Sequence, residues 1–382
     1  MYFGLIELYM PKYITSADVF DLDIDEIKRD GSILQLLEVA SRYLGEINSV
    51  VTNVLEFDFI LEALKNIEAL NSARIEGTTG NLKDLYMEDI LDFETKKQLK
   101  LFSAVNYRFT MNDLEKIVKT YKTMSLGLIR HLHKILTQHD PATKGEPGKF
   151  RLNEAKIINT KLGDFWPAHP TKIDEFMDKF VESTRRTNDF PSLLLAAISH
   201  YQFEAIHPFE DGNGRTGRVL INAQLLIRKT LKTPFLNISQ YFDKTRDKYL
   251  SSLRSVSGNR SYKIWVKYFL KAIIEQSEHN KNLIFKLRTL REKNERLLNE
   301  TVHSPAAFII HKQALNNLFV TVPQAMDYLK KNRVKGDVKQ MARNNVKKLE
   351  EVGILKKTSM KDVRADLYEY TELKQMLMNS GS

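Results

Sequence analysis

Twelve consecutive residues concentrate the groups that could do chemistry in this chain. They run His207-Pro208-Phe209-Glu210-Asp211-Gly212-Asn213-Gly214-Arg215-Thr216-Gly217-Arg218 and combine one imidazole, two carboxylates, three glycines and two guanidiniums. Apolar residues at helical spacing lie on both sides, Leu193 to Ile206 before and Val219 to Ile227 after. The pattern predicts a helix, a glycine-rich loop and the first turn of a second helix. A helix start is an anion site, because its first N–H groups and its dipole point into the loop. Gly212 and Gly214 let the backbone come close to a ligand and form a nest of donors. Arg215 and Arg218, three positions apart, can face one side, and two guanidiniums there suit a polyphosphate better than a single carboxylate. Asp211 is placed to hold Mg²⁺ beside phosphate oxygens. His207 can take a proton from a hydroxyl near neutral pH, and Phe209, apolar inside a polar loop, anchors it to the core. These parts suit attack of a hydroxyl on a nucleotide phosphate. A lone Gly-Asn-Gly would be an ordinary turn with His207 capping a helix; agreement over the whole stretch argues for the chemistry.

The stretch resembles the signature of the Fic (filamentation induced by cAMP) family, His-x-Phe-x-Asp/Glu-Gly-Asn-Gly-Arg-x-x-Arg, at every fixed position. The resemblance implies a protein adenylyltransferase that moves AMP from ATP to a hydroxyl side chain of a target protein and releases pyrophosphate. It implies His207 as general base and Asp211 as the Mg²⁺ ligand. Phe209, Gly212, Asn213, Gly214, Arg215 and Arg218 become the nucleotide site, with Arg218 toward the γ-phosphate. It also implies that Tyr241 and Tyr249 line the nucleobase pocket, although their spacing alone reads as core. His131, His133 and His200 have no carboxylate pattern around them and read as structural.

A second stretch, Ser72-Ala73-Arg74-Ile75-Glu76-Gly77, resembles the family's inhibitory helix, Ser/Thr-x-x-x-Glu-Gly/Asn. Ser72 and Glu76 stand at i and i+4, on one helical face, and Gly77 loosens or ends the helix. The resemblance implies that Glu76 occupies Arg218 and so competes with the γ-phosphate. By itself such a glutamate would be a solvated helix end.

The elements that must position these groups follow from periodicity. Helices are expected from Ser32 (as N-cap) to Val54, Asp58 to Ile75, Leu82 to Ile90, Lys96 to Phe109, from Ser125-Leu126-Gly127 to about His139, Ile173 to Arg185, and Ser192 to Ile206. No period is visible in the first thirty residues. Lys156, Ile157, Ile158 and Asn159, followed by Thr160, lead into a turn at Lys161, Leu162, Gly163 and Asp164 and return through Phe165, Trp166, Pro167 and Ala168, a β-hairpin. In the family such a flap pins the target segment by strand addition. Downstream, helices are expected over Tyr249 to Val256 and Tyr262 to Glu278, followed by a charged linking helix. Ala307 to Leu318, Val322 to Lys330 and Asp337 to Val352 read as three helices. Gly353-Ile354-Leu355 and Leu367-Tyr368-Glu369-Tyr370 then read as two strands of a small wing.

The expected fold is therefore mainly α: a helical core with a β-hairpin flap, an N-terminal helical region and a C-terminal winged helix-turn-helix. The expected divisions are 1–100, carrying the inhibitory helix; 101–279, the catalytic core; 280–303, a linker helix; and 304–382, the winged module. At 382 residues with 42% hydrophobic and 28% charged residues, the chain can bury a sizeable core and is not a disordered composition. It has no cysteine, which excludes disulfides and thiolate metal sites and fits a cytoplasmic setting. No signal peptide or membrane span is expected, hence no membrane partner. The formal net charge of +10 is what a solvated basic surface or a polyanionic partner would give. On the third C-terminal helix, Lys339, Gln340, Arg343, Asn344, Asn345, Lys347 and Lys348 offer groups for DNA, and DNA through 304–382 joins ATP, a target protein and a second copy of the chain as candidate partners. Two alternatives stand beside the transferase: a regulator working through DNA or protein binding by the C-terminal module, and a Fic enzyme that uses another nucleotide or mainly removes AMP.

Overall fold

The computed structural model describes residues 13–53, 58–89, 91–158, 161–185, 190–358 and 366–380. Asn159 and Thr160 of the expected hairpin and most of the expected wing loop lie outside them. The chain divides into two compact units. The first comprises Met1–Arg42, Phe109–Pro234 and Thr245–Ile273, and the second Tyr43–Arg108, Phe235–Lys244 and Ile274–Ser382.

In the first unit the helix Ser192–Ile206 is apolar on nearly every side and is buried accordingly, the behaviour of a central core helix. It packs on Asn213–Ile227 and Ile173–Thr184, and Leu126–Thr137 packs on both of those. Ser125 caps Leu126–Thr137 by accepting the Leu128 N–H at 3.2 Å. Trp265, fully buried, donates its indole N–H to the Ala197 carbonyl at 2.7 Å, so its polar edge is satisfied within the core. Among the described residues of the N-terminal stretch, Ser16–Phe20 and Asp25–Arg29 are five-residue helices, where no period was visible. Five residues are too few to show one. A capping box between Thr15 and Asp18 starts the first, and its Val19 carbonyl accepts from Gln202 at 3.2 Å and Tyr262 at 3.0 Å.

The helix Gly31–Asn53 contributes to both units. Its cap is Asp30, whose carboxylate accepts the Ser32 and Ile33 N–H groups at 3.0 and 3.2 Å; Ser32, the expected cap, is already inside the helix. The expected helix from Lys96 to Phe109 is two helices, Phe93–Gln98 and Phe102–Tyr121, separated where Lys100 adopts φ +51°. Leu82–Tyr86 stops short of the expected end at Ile90, which itself lies outside the described residues.

In the second unit the helix Asp58–Ile75 is buried along most of its length. Its Glu68, 1% exposed, accepts from the Tyr107 hydroxyl at 2.8 Å and from the Ser239 N–H and hydroxyl at 2.8 and 2.5 Å. Three donors offset the desolvation of that carboxylate and tie Phe235–Lys244 to the helix. One 39-residue helix, Lys263–Thr301, replaces the expected pair of a helix to Glu278 and a separate linker. Beyond it the order is helix Pro305–Asn317, strand β1 (Phe319–Thr321), helices Val322–Lys331 and Val338–Glu351, then strands β2 (Lys356–Thr358) and β3 (Leu367–Glu369). The sheet order is β1-β3-β2, all antiparallel, with Tyr368 opposite both Val320 and Lys357.

Two details depart from expectation here. Gly353-Ile354-Leu355 is a helix C-terminus and not a strand: Gly353 takes φ +79°, and the Ile354 and Leu355 N–H groups both reach the Leu349 carbonyl at 3.0 Å. The strand begins three residues later. A final helix, Thr371–Ser380, and the short β1 were not expected. No helix among the described residues is long and apolar enough to cross a membrane.

Candidate functional site

The loop at His207 is shaped by three conformational decisions. Helix Ser192–Ile206 ends because His207 takes the left-handed conformation, φ +52°, and Pro208 cannot continue the ladder. The next helix, Asn213–Ile227, starts after Gly212 at φ +76°. A Cβ on Gly212 would also lie 2.8 Å from Thr137 Cγ2, so conformation and space both call for glycine there. Asn213 then closes the loop on itself, accepting the Phe209 N–H at 2.9 Å and donating to the Phe209 carbonyl at 2.8 Å. Its side-chain amide thus shapes the loop that is expected to cradle phosphate. The first-turn N–H groups of Asn213, Gly214 and Arg215 have no acceptor within their own helix, as at any helix start.

Phe209, fully buried, is the anchor that the sequence suggested. It stacks on His133 with ring centroids 3.6 Å apart and planes 4° from parallel. Its ring is buried, so its part in the expected nucleotide site is to hold the loop in place. His133 is in turn fixed at both nitrogens. Nδ1 accepts the Gly148 N–H at 2.9 Å, which makes Nε2 the protonated nitrogen, donating to the Asp211 carbonyl at 2.9 Å. Burial, and secondarily the Arg215 charge, lower its pKa to about 4, so the neutral tautomer this arrangement needs is the one present at neutral pH. His200 is also structural: it is buried, it bonds the Tyr249 hydroxyl at 2.8 Å, and burial followed by the Arg218 charge lowers its pKa to about 3. Among the described residues no group of three histidine or acidic side chains gathers as a metal site.

The two arginines are deeply placed, Arg215 at 4% and Arg218 at 1% exposure. Arg215 lies between Asp140 (3.5 Å) and Asp211 (3.6 Å). The Asp211 carboxylate is more than a third exposed and accepts the Gly212 N–H at 2.6 Å, so it stands at the rim with its second oxygen toward the Lys144 N–H at 3.4 Å. Arg218 falls in the second turn of the helix, one turn beyond the Arg215 level.

One residue that sequence reasoning passed over holds this loop in place. Arg151, 4% exposed, donates Nε to the His207 carbonyl at 2.8 Å, Nη1 to the Asn153 carbonyl at 2.8 Å and Nη2 to the Ala168 carbonyl. Its own N–H reaches the Pro208 carbonyl at 2.9 Å. It thus joins the His207 turn to both ends of the hairpin region, and its only sequence signal was a position at the end of a Gly/Pro-rich loop. Arg151→Met is expected to destabilise the protein by about 3 kcal/mol, since several buried carbonyls lose a charged donor. Urea denaturation checks this, and a midpoint equal to that of the parent would rule the clamp out.

Among the described residues the hairpin closes with one bridge, Ile157 paired with Phe165 through two 2.9 Å hydrogen bonds, where two strands were expected. It rests on the helix Arg246–Asn259. Lys161 pairs with Asp247 at 2.6 Å, and Arg254 donates to the Asp164 carbonyl at 2.7 Å with its guanidinium 4.8 Å above the Phe165 ring. Ile158 is exposed. Beneath the turn lies a cavity of about 120 Å³, walled by Ile157, Leu162 and Phe165 of the hairpin, Leu250 and Leu253 of the helix, and Tyr201, Glu204 and Ala205 just before His207. Tyr249, expected on a nucleobase, is 2% exposed and packs with Trp265 and Tyr268 on the core side; the cavity is lined by its neighbour Leu250. Tyr241 belongs to the second unit, half-buried, with its hydroxyl 3.5 Å from Glu275.

Ser72, Glu76 and Gly77 are also in the second unit. Ser72 is fully buried, the helix ends at Ile75, and Glu76 lies exposed in the turn that Gly77 completes at φ +94°. Glu76 therefore stands just past the helix that was expected to carry it.

Comparison with known proteins agrees with the motif. Residues 123–225 match the Fic/DOC family and residues 34–113 the Fic/DOC family N-terminal region. A probable protein adenylyltransferase of Aquifex aeolicus is 30% identical over 171 residues, 44% of this chain and 48% of the relative. Protein adenylyltransferase fic-1 of Caenorhabditis briggsae is 30% identical over 156 residues, 40% of this chain and 28% of the relative. The match thus spans less than half of either relative's length. A crystal structure of a Fic family protein from Desulfovibrio desulfuricans superposes with a TM-score of 0.55 over 95% of this chain and 98% of that one, at 17% identity, a likeness of fold.

Proposed function

On the premise that this chain carries a Fic/DOC family domain over residues 123–225, behind the family's N-terminal region, we propose that it is a protein adenylyltransferase. The observation that carries the reading is the turn from His207, at φ +52°, through Gly212, at φ +76°, into a helix start flanked by two buried arginines. Phosphates lie against the first-turn N–H groups of Asn213 to Arg215, with Arg215 and Arg218 meeting their charge. His207 removes the proton of the acceptor hydroxyl as its oxygen bonds to the α-phosphorus. The bond to the β-phosphate breaks and pyrophosphate leaves. Mg²⁺ fits Asp211, because this ion needs one or two carboxylates and otherwise takes phosphate and water oxygens; when bound it neutralises charge building on the phosphates. The apolar cavity under the hairpin suits a nucleobase, and the hairpin itself presents the acceptor segment by strand pairing. Glu76 acts as a brake on Arg218.

The same reading divides the chain at 1–100, 101–279, 280–303 and 304–382 and places the protein in the cytoplasm. A second copy of the chain is a candidate partner. For the C-terminal module a winged-helix role in DNA binding is a second reading, favoured by the helix Val338–Glu351. That helix exposes Lys339, Gln340, Arg343, Asn344, Lys347 and Lys348 on one side; Asn345 is withdrawn, buried against Ser304. Retention on duplex DNA that falls steeply with salt would support it.

The transferase reading predicts a mass increase of one adenylate on the protein itself or on an added target when the full chain is incubated with ATP and Mg²⁺. Intact-mass spectrometry reads it, and chelation of Mg²⁺ is expected to remove it. An adduct of another nucleotide would change the donor, and no adduct from any nucleotide would leave the C-terminal module as the main output.

A further inference from the structure

The nucleotide site contains a carboxylate for which neither the motif nor the proposed roles have a use. Glu204 lies on the helix Ser192–Ile206, three residues before His207, and forms part of the wall of the cavity under the hairpin. Three other polar side chains of that wall make the following bonds. The Tyr201 hydroxyl donates to the Asp18 carbonyl at 3.2 Å, the Ser257 hydroxyl to the Arg254 carbonyl at 3.2 Å, and Arg254 to the Asp164 carbonyl at 2.7 Å. Glu204 is the acidic residue of a lining that is otherwise largely apolar. A carboxylate accepts at about four lone-pair positions, so it keeps acceptor capacity whatever else it holds.

Its position along the motif helix is also defined. A Cβ built on Gly217 would collide with Glu204 Oε1 and approach Phe203 Cδ1 to 3.2 Å. The carboxylate of this cavity-wall residue therefore lies against the fifth residue of Asn213–Ile227, about one turn from the helix start. Glycine inside a helix costs about 1 kcal/mol relative to alanine, so its presence here is explained by the room it leaves for that carboxylate.

We propose that Glu204 reads the ribose of the bound nucleotide, accepting a hydrogen bond from a 2′- or 3′-hydroxyl, and that Gly217 makes room for it to do so. The inference rests on the nucleotide reading above. With the base in the apolar cavity and the phosphates at the helix start, Glu204, which belongs to the wall of the one and lies against Gly217 of the other, is placed beside the sugar that joins them. The substrate it selects is a ribonucleotide over its deoxy counterpart. A site that pairs a substrate hydroxyl rejects the analogue lacking it, and a charged acceptor supplies about 10- to 100-fold.

The test uses the full chain carrying Glu76→Gly and compares ATP with 2′-deoxy-ATP and 3′-deoxy-ATP, both in transfer and in binding by calorimetry. The parent is expected to favour ATP over one of the deoxy nucleotides by about 10- to 100-fold. Glu204→Ala is expected to bring that ratio within about threefold by weakening ATP alone. Gly217→Ala, which displaces the carboxylate and also presses on the buried Phe203 ring, is expected to do the same, with its melting temperature read alongside. A ratio unchanged in both variants overturns the proposal. So does a change confined to preference among ATP, GTP, CTP and UTP, which would move Glu204 to the base. Should ATP bind without transfer, the transferase reading fails while the binding ratios still decide the ribose assignment; should no nucleotide bind, both fall.

Discussion

His207→Ala is expected to lower adduct formation by about 10²- to 10⁴-fold, the range a positioned general base contributes. The melting temperature is expected to move little, for three reasons visible in the structure. The imidazole is half-buried and is not part of the packed core. The residue's main structural contribution is through its backbone, where the carbonyl is held by Arg151 at 2.8 Å and the N–H by the Phe203 carbonyl at 2.9 Å, and alanine keeps both groups. The left-handed conformation at φ +52° is open to alanine as well as histidine, at a small extra cost for alanine. Loss of activity with retained folding thus separates a chemical role from a structural one. Transfer at the parent rate in the alanine variant would remove His207 from the mechanism.

Glu76→Gly is expected to act in the opposite direction, raising transfer about 5- to 150-fold, the span of a coupling of 1–3 kcal/mol. The structure makes the experiment clean. Glu76 is exposed in the turn after Ile75, ahead of Gly77 at φ +94°, so glycine costs little there. Ser72, fully buried four residues earlier, is the position in the same stretch where substitution would be confounded by packing. A rate with radiolabelled ATP no faster than the parent's would dispose of the brake. If adduct already formed on a target is lost on incubation with the parent and retained with the variant, Glu76 takes part in removing AMP.

The legible and illegible parts of this molecule differ in how far apart their residues lie in the chain. The loop was readable because its determinants are neighbours: Pro208 stops one helix, Gly212 admits φ +76°, and Phe209 is apolar among polar residues. Long helices such as Asp58–Ile75 and Ser192–Ile206 were readable from their repeating apolar positions, whereas five-residue helices and three-residue strands offer too few repeats. Periodicity also left the face undecided on Arg246–Asn259. A step of one residue turns a helix by about 100°, and that step separates Tyr249, sealed in the core, from Leu250, which lines the cavity.

What the sequence alone determined was a set of chemical groups in contiguous order, a base, a carboxylate, a glycine turn and two guanidiniums, because local dihedral preference is a property of neighbouring residues. What only the tertiary structure decided was which groups meet. Arg151 reaches His207 across 56 positions and His133 reaches Asp211 across 78, and both serve backbone carbonyls, which every residue carries and no motif can mark. Asn213, conspicuous in the motif, closes its own loop, while Glu204, inconspicuous beside it, lies along the cavity wall against Gly217. A side chain's type limits what it can bond, and only the packing around it selects among those partners.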